Sequence, residues 1–173
     1  MSETLAMALP KGDTSRAAFD ALYRAAVSDV HAYVRSIVRD PGAAEDVTAA
    51  AFERAFRRRR TFDAKRGSER AWLFGIARNA ALDELRRRKR TTALVVDPAD
   101  PEAAHAAAAD EDPRRSTVRH AMASLDARDR ELVALKFHAG LSNAEIGTLL
   151  GVSETNAGTR VHRAVTKLRE ACA

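Results

Sequence analysis

Apolar residues recur along this chain with helical spacing almost from end to end. Phe19, Leu22, Tyr23, Ala26, Val30, Tyr33, Val34 and Ile37 follow an i, i+3, i+4, i+7 rule over five turns and predict an amphipathic helix. Asp40-Pro41 ends it and opens the next, with Asp40 as N-cap and Pro41 in the first helical position. Val47, Ala51, Phe52, Ala55 and Phe56 form the apolar face of that second helix, which runs out in Arg57-Arg58-Arg59-Arg60. Thr61 to Ser68 reads as a polar loop, and a third long helix is predicted from about Glu69 to Lys89.

On a wheel of about 100° per residue, Leu73, Phe74, Ala77, Ala80, Ala81 and Leu85 of the third helix gather on a core-facing side. The opposite side shows Trp72, Ile76, Asn79, Asp83, Arg86 and Arg90. Such a stripe suits nucleic acid: Asn can bond a base edge, Trp offers a stacking platform, and arginines neutralise phosphates. Stacking an unpaired base on an aromatic is worth about 1–3 kcal/mol. The plainer alternative makes Trp72 a core anchor and the arginines solubilising.

Near the C-terminus two short helices are joined by a glycine turn. Ser142 with Glu145 forms a capping box that starts one helix near Asn143. Gly151 supplies a left-handed turn residue, and Ser153 caps the second helix. The second helix has an apolar stripe of Ala157, Val161, Ala164, Val165 and Leu168, and carries Arg160, Arg163, Lys167 and Arg169. This layout is that of a helix-turn-helix whose second helix enters the DNA major groove. A plain helical hairpin in an all-α core is the competing interpretation.

Charge divides the chain. Its 173 residues carry +5 overall, yet residues 91–113 hold six acidic groups and no Lys or Arg, which places +11 on the rest. That stretch, with Pro98, Pro101, Pro113 and an alanine run, reads as a flexible acidic linker. The expected architecture is therefore all-α, with two small helical domains at 16–90 and 114–173, a tail at 1–15 and the linker between. Cys172 is the single cysteine, so internal disulfides and multi-cysteine zinc sites are excluded. The five histidines lack metal-ligand spacing, and neither a metal nor a cofactor is expected. No run approaches the roughly 20 apolar residues of a membrane span, and the N-terminus lacks signal-peptide character. A cytoplasmic protein is expected. No phosphate-cradling Gly-Lys-Ser/Thr loop, His-Glu-x-x-His or nucleophile–base pair supports an enzyme.

The stretch Arg70-Ala71-Trp72-Leu73-Phe74-Gly75-Ile76-Ala77-Arg78-Asn79-Ala80-Ala81-Leu82-Asp83, followed by basic residues, resembles the promoter-melting helix of bacterial extracytoplasmic-function sigma factors. Gly42 to Val47 resembles the start of their core-polymerase-binding helix, and Leu125 to Arg169 their promoter-reading domain. The resemblance implies a non-catalytic initiation factor that binds core RNA polymerase, recognises two promoter elements and opens the duplex. By that resemblance Asp46, Val47, Phe52 and Phe56 dock on polymerase. The loop with Phe62, Asp63, Lys65 and Arg66 captures a flipped base of the upstream hexamer, and Trp72, Arg78, Asn79, Asp83 and Arg86 complete the melting and reading surface. Ser153, Glu154, Thr155, Asn156, Thr159, Arg160 and Arg163 face the major groove, over a core of Leu132, Leu135, Phe137 and Ile146. Partners are core polymerase, double-stranded and melted promoter DNA and, as in the family, an anti-sigma factor.

Two segments depart from the family pattern. Ala49 and Ala50 stand where members usually carry Gln and an acidic residue, and Thr155-Asn156-Ala157-Gly158 replaces the usual Gly-Thr-Val that follows Ser-Glu. Gly158 costs a helix interior about 1 kcal/mol against Ala. The first departure motivates an alternative, a sigma-like protein that binds an anti-sigma partner without serving polymerase. A free-standing helix-turn-helix regulator is the other.

Overall fold

The computed structural model describes residues 15–94 and 112–172. Seven α-helices fill this range, and no strand occurs among the described residues. Helix α1 spans Arg16–Val38, α2 Pro41–Arg58 and α3 Glu69–Leu94. Helices α4 (Pro113–Ser124), α5 (Ala127–Phe137), α6 (Asn143–Leu150) and α7 (Glu154–Cys172) follow. The tail and most of the acidic segment lie outside the described residues. The third helix runs further than its pattern predicts, through Leu94 rather than Lys89.

Local chemistry sets the helix ends. The Ser15 side chain accepts from the Ala18 amide, and Asp40 accepts from Ala43 at 2.7 Å just before Pro41. Between them Arg39 closes α1 in the left-handed region at φ 57°, its amide bonded to the Arg35 carbonyl. Asp126 caps α5 by accepting from Asp129 at 2.8 Å. The loop expected at 61–68 follows one single-turn 3₁₀ segment, Arg59–Thr61, and contains a second, Ala64–Arg66.

Helices α1, α2 and α3 enclose Leu22, Val30, Tyr33, Val34, Phe52, Leu73 and Phe74. Ala26, Ala44, Ala51, Ala55, Ala77 and Ala81 are fully buried where the helices meet. Small residues at crossings let the axes approach closely, which suits a chain with 5% aromatics. The few rings are used as anchors in edge-to-face pairs: Phe19 with Phe56 at 5.1 Å, Tyr23 with Phe52 at 4.8 Å, and Tyr33 with Phe74 at 5.4 Å. In the C-terminal half, Leu132, Leu135, Leu141, Ile146, Ala157 and Val161 bury against one another. Phe137 departs from expectation: it ends α5 and is 64% exposed. Leu85 also stands outward at 36%, because α3 there has run past the end of the three-helix core.

The two halves are packed together. Helix α1 lies against α5 and α3 touches α6, so that buried residues of both halves join one cluster.

Candidate nucleic-acid interface

The C-terminal motif is built on close backbone approach. A Cβ at Gly147 would come 2.8 Å from the Val152 carbonyl oxygen, so only glycine lets α6 fold back on the turn. Gly151 then sits at φ 69°, and the Ser153 hydroxyl accepts from the Asn156 amide to open α7. Ala157, Val161 and Ala164 turn inward. Ser153, Glu154, Thr155, Asn156, Thr159, Arg160 and Arg163 are all exposed along the outer face of α7. Gly158 has a packing reason: a Cβ there would lie 3.0 Å from the Asn143 side-chain nitrogen. The Asn143 oxygen in turn accepts from Lys136 at 3.3 Å, so the glycine on α7 leaves room for a polar link between α5 and α6.

On α3 the expected stripe is only partly a surface. Asn79 and Arg86 are exposed, and Trp72 is half-buried with its ring 5.7 Å from that of Phe62. The pair joins the end of the 3₁₀ loop to the start of the helix. Asp63, Lys65 and Arg66 are exposed on that loop, with Asp63 accepting from the Lys65 amide at 2.9 Å. Ile76 belongs to the core at 7% exposure, because its wheel position falls beneath the neighbouring helix rather than on the stripe. Asp83 pairs with Arg86 at 3.1 Å and, across the helix boundary, with Arg54 of α2 at 3.8 Å. Its carboxylate therefore faces the seam between α2 and α3.

That seam is an open groove of about 370 Å³ lined by Asp46, Val47, Ala50, Arg54, Asp83 and Glu84, among others. Asp46 and both alanines of the departure, Ala49 and Ala50, are exposed. Val47 and Phe52, expected to dock on polymerase, are 6% and 5% exposed. The first is the groove floor and the second packs among rings of α1, since both fall on the inward stripe of α2. Phe56 is half-buried under the Arg59 guanidinium, which lies 4.1 Å from its ring centre. Glu84 binds Arg87 and Arg88, each at 2.8 Å, and these bonds hold its carboxyl below the usual glutamate value despite the opposing effect of burial.

Arg78 is the clearest relocation. It was expected on the recognition face, but its Nε donates to Glu131 of α5 at 2.6 Å, where the two halves meet. Two partners went unforeseen. Arg70 donates to Asp29 at 2.6 Å, to the His138 carbonyl at 3.1 Å and to the Ala139 carbonyl. Ser68 caps α3 by accepting from the Ala71 amide, and its hydroxyl donates to Glu145 of α6. Burial pushes the Glu145 carboxyl up, but hydrogen bonds from Ser68 and Ser142 outweigh it and leave the group below its ordinary value. Nothing local in the sequence marks Glu131 or Glu145 as facing the other half.

Comparison with known proteins places these surfaces in a family. Sigma-70 region 2 matches residues 22–91 and Sigma-70, region 4 matches residues 115–168. The ECF RNA polymerase sigma factor SigK of Mycobacterium tuberculosis is 30% identical over 161 residues, spanning 89% of this chain and 85% of the relative. This chain belongs to the extracytoplasmic-function family of RNA polymerase sigma factors.

SigK of Mycobacterium sp. strain KMS is likewise 30% identical over 159 residues, covering 88% of the sigma factor described here and 81% of its own length. Among solved structures, CnrH in complex with the cytosolic domain of CnrY aligns at a TM-score of 0.62 with 26% identity, over 90% of this chain and 88% of that one. The sigma factor RpoE of Bartonella quintana, solved with the anti-sigma factor NepR, shares the fold at a TM-score of 0.67 and 22% identity, over 89% and 96% of the two chains. Among the described residues no helix of the sigma factor is long and apolar enough to cross a membrane.

Proposed function

We propose that this sigma factor acts in the cytoplasm as a non-catalytic initiation factor, bringing core RNA polymerase to promoters and opening them. The observation that carries this is the order of its parts. A region 2 module with an exposed groove on α2 and α3 precedes a region 4 module in which α7 and its capping Ser153 present seven exposed polar and charged side chains. The α2–α3 groove, with Asp46 at its rim and Val47 as its floor, is the polymerase-docking surface. Exposed Ala49 and Ala50 offer no hydrogen bond there, so Asp46, Arg54 and Glu84 supply its polar contacts.

Phe62, Trp72 and Asn79, with the basic loop residues Lys65 and Arg66, hold and read a base that has left the duplex. Flipping costs a few kcal/mol of unstacking, which an aromatic platform and a cationic rim offset. Thr155, Asn156, Thr159, Arg160 and Arg163 contact the more upstream element in the major groove. Asn reads adenine when bidentate, which gives Asn156 a specificity role.

The test is run-off transcription with bacterial core polymerase and sheared DNA of the source genome, with and without the protein. Discrete transcripts that require the protein support the proposal and supply the promoters. With active core and folded protein, their absence shifts the assignment to a sigma-like protein whose partner is an anti-sigma factor, with Ala49 and Ala50 as the reason.

A further inference from the structure

Residues 1–90 carry a net charge of +7 and residues 114–173 carry +4, so the two halves repel each other on average. Their contact forms where the C-terminal half is locally anionic. Three donors lie along one strip of the N-terminal half, within ten residues or about 15 Å of helix rise: Ser68, Arg70 and Arg78. Each meets an anionic feature of the other half. Glu145 takes the Ser68 hydroxyl, the carbonyls of His138 and Ala139 just beyond the α5 C-terminus take Arg70, which also pairs with Asp29 of its own half, and Glu131 takes Arg78. Between them Gly75 admits Leu149, which would lie 3.3 Å from a Cβ at that position.

These are the pairings that DNA phosphates make. A carboxylate on a hydroxyl that caps a long helix occupies the kind of place a phosphate takes at a helix N-terminus. Arginine binds carboxylate and phosphate through the same N–H donors, and carbonyls at a helix C-terminus carry partial negative charge. The strip borders half-buried Phe62 and the exposed side chains of Lys65, Arg66 and Asn79 assigned above to promoter DNA.

Resting on that assignment, we infer that the C-terminal half mimics DNA phosphates toward the N-terminal half: Glu131, Glu145 and the carbonyl end of α5 fill a phosphate-binding strip made by Ser68, Arg70 and Arg78. Domain closure and DNA binding then compete. The free protein is held shut, and a polyanion that takes the strip opens it.

The experiment needs no polymerase. Fluorophores are placed on Cys172 and on an Ala25→Cys substitution, and energy transfer is followed while a random-sequence duplex two helical turns long is added. Transfer should fall as DNA binds to the wild-type chain. Glu131→Gln with Glu145→Gln should show low transfer without DNA and bind the duplex about fivefold or more tightly than a charge-matched control, since phosphate contacts dominate nonspecific affinity. That control is Asp20→Asn with Glu170→Gln, both exposed. Glutamine at 145 can keep the capping box, and the wild-type titration decides the matter even if the double variant fails to fold.

DNA binding that leaves transfer unchanged overturns the inference, as does a double variant that binds no better than the control. If competition is seen but run-off yields no transcript, the initiation reading falls and the phosphate strip stands. Transcripts without competition give the reverse.

Discussion

The Tyr33 hydroxyl, on a side chain with no exposed surface, donates to Glu131 at 3.4 Å across the junction of the two halves. The same carboxylate oxygen accepts from Arg78. Tyr33 thus belongs to the core of one half and has its polar end satisfied by the other.

Burial first, then the negative charge of Glu131, raise the Tyr33 pKa well above the ordinary phenol value, with Arg78 opposing. The folded state therefore holds this proton more tightly than the unfolded chain does. Its stabilising contribution is complete below the unfolded tyrosine pKa of about 10 and is lost as pH rises through the folded value. Phenolate absorbance should show one tyrosine that ionises only above the usual range, and Glu131→Gln should bring that titration down. A Tyr33 that ionises in the ordinary range would mean that its hydroxyl is in water and the halves are apart.

Gly147→Ala should destabilise the C-terminal half by about 1–3 kcal/mol, the usual cost of forcing atoms into a close-packed place. The added methyl meets backbone, the Val152 carbonyl, which cannot rotate away. Urea unfolding followed by circular dichroism measures it. A midpoint equal to wild type would show that the turn can shift freely.

Asn79→Ala should lower transcription from cognate promoters about fivefold to a hundredfold, the equivalent of one base contact worth roughly 1–3 kcal/mol. Binding to core polymerase should be intact, because Asn79 is exposed on α3 outside the α2–α3 groove. Loss of polymerase binding in a pull-down would show that the two faces of α3 have been exchanged.

Arg160→Ala should weaken duplex binding and reduce the slope of log affinity against log salt by about 1, the signature of one lost phosphate contact. Arg160 is exposed on α7 and has no ion pair among the described residues. An unchanged slope with weaker binding would assign it to a base edge instead.

Much of this protein is legible in the order of its side chains, for reasons that act over a few residues. The Asp40-Pro41 boundary, the Ser142–Glu145 capping box and the Gly151 turn all appear where the sequence places them, since a cap or a left-handed turn is decided by neighbours along the chain. The α7 residues expected to face the major groove are exposed, because a strong apolar stripe leaves the opposite face no choice. On α3 the pattern is weaker. Its alanines and basic run blur the stripe, and the structure turns Ile76 inward and Leu85 outward against the pattern.

The chain by itself determined the helices, their caps, the helix-turn-helix and the family. Tertiary structure alone decided which side chains the packing would claim. Val47 and Phe52 went to the core, Asp83 to the α2–α3 seam, and Arg78 to Glu131, 53 residues away in sequence. Helical periodicity tells which residues share a face. It does not tell which face will be covered by an element that arrives from elsewhere in the chain, because that depends on distant partners whose charge and shape meet only once the helices have packed.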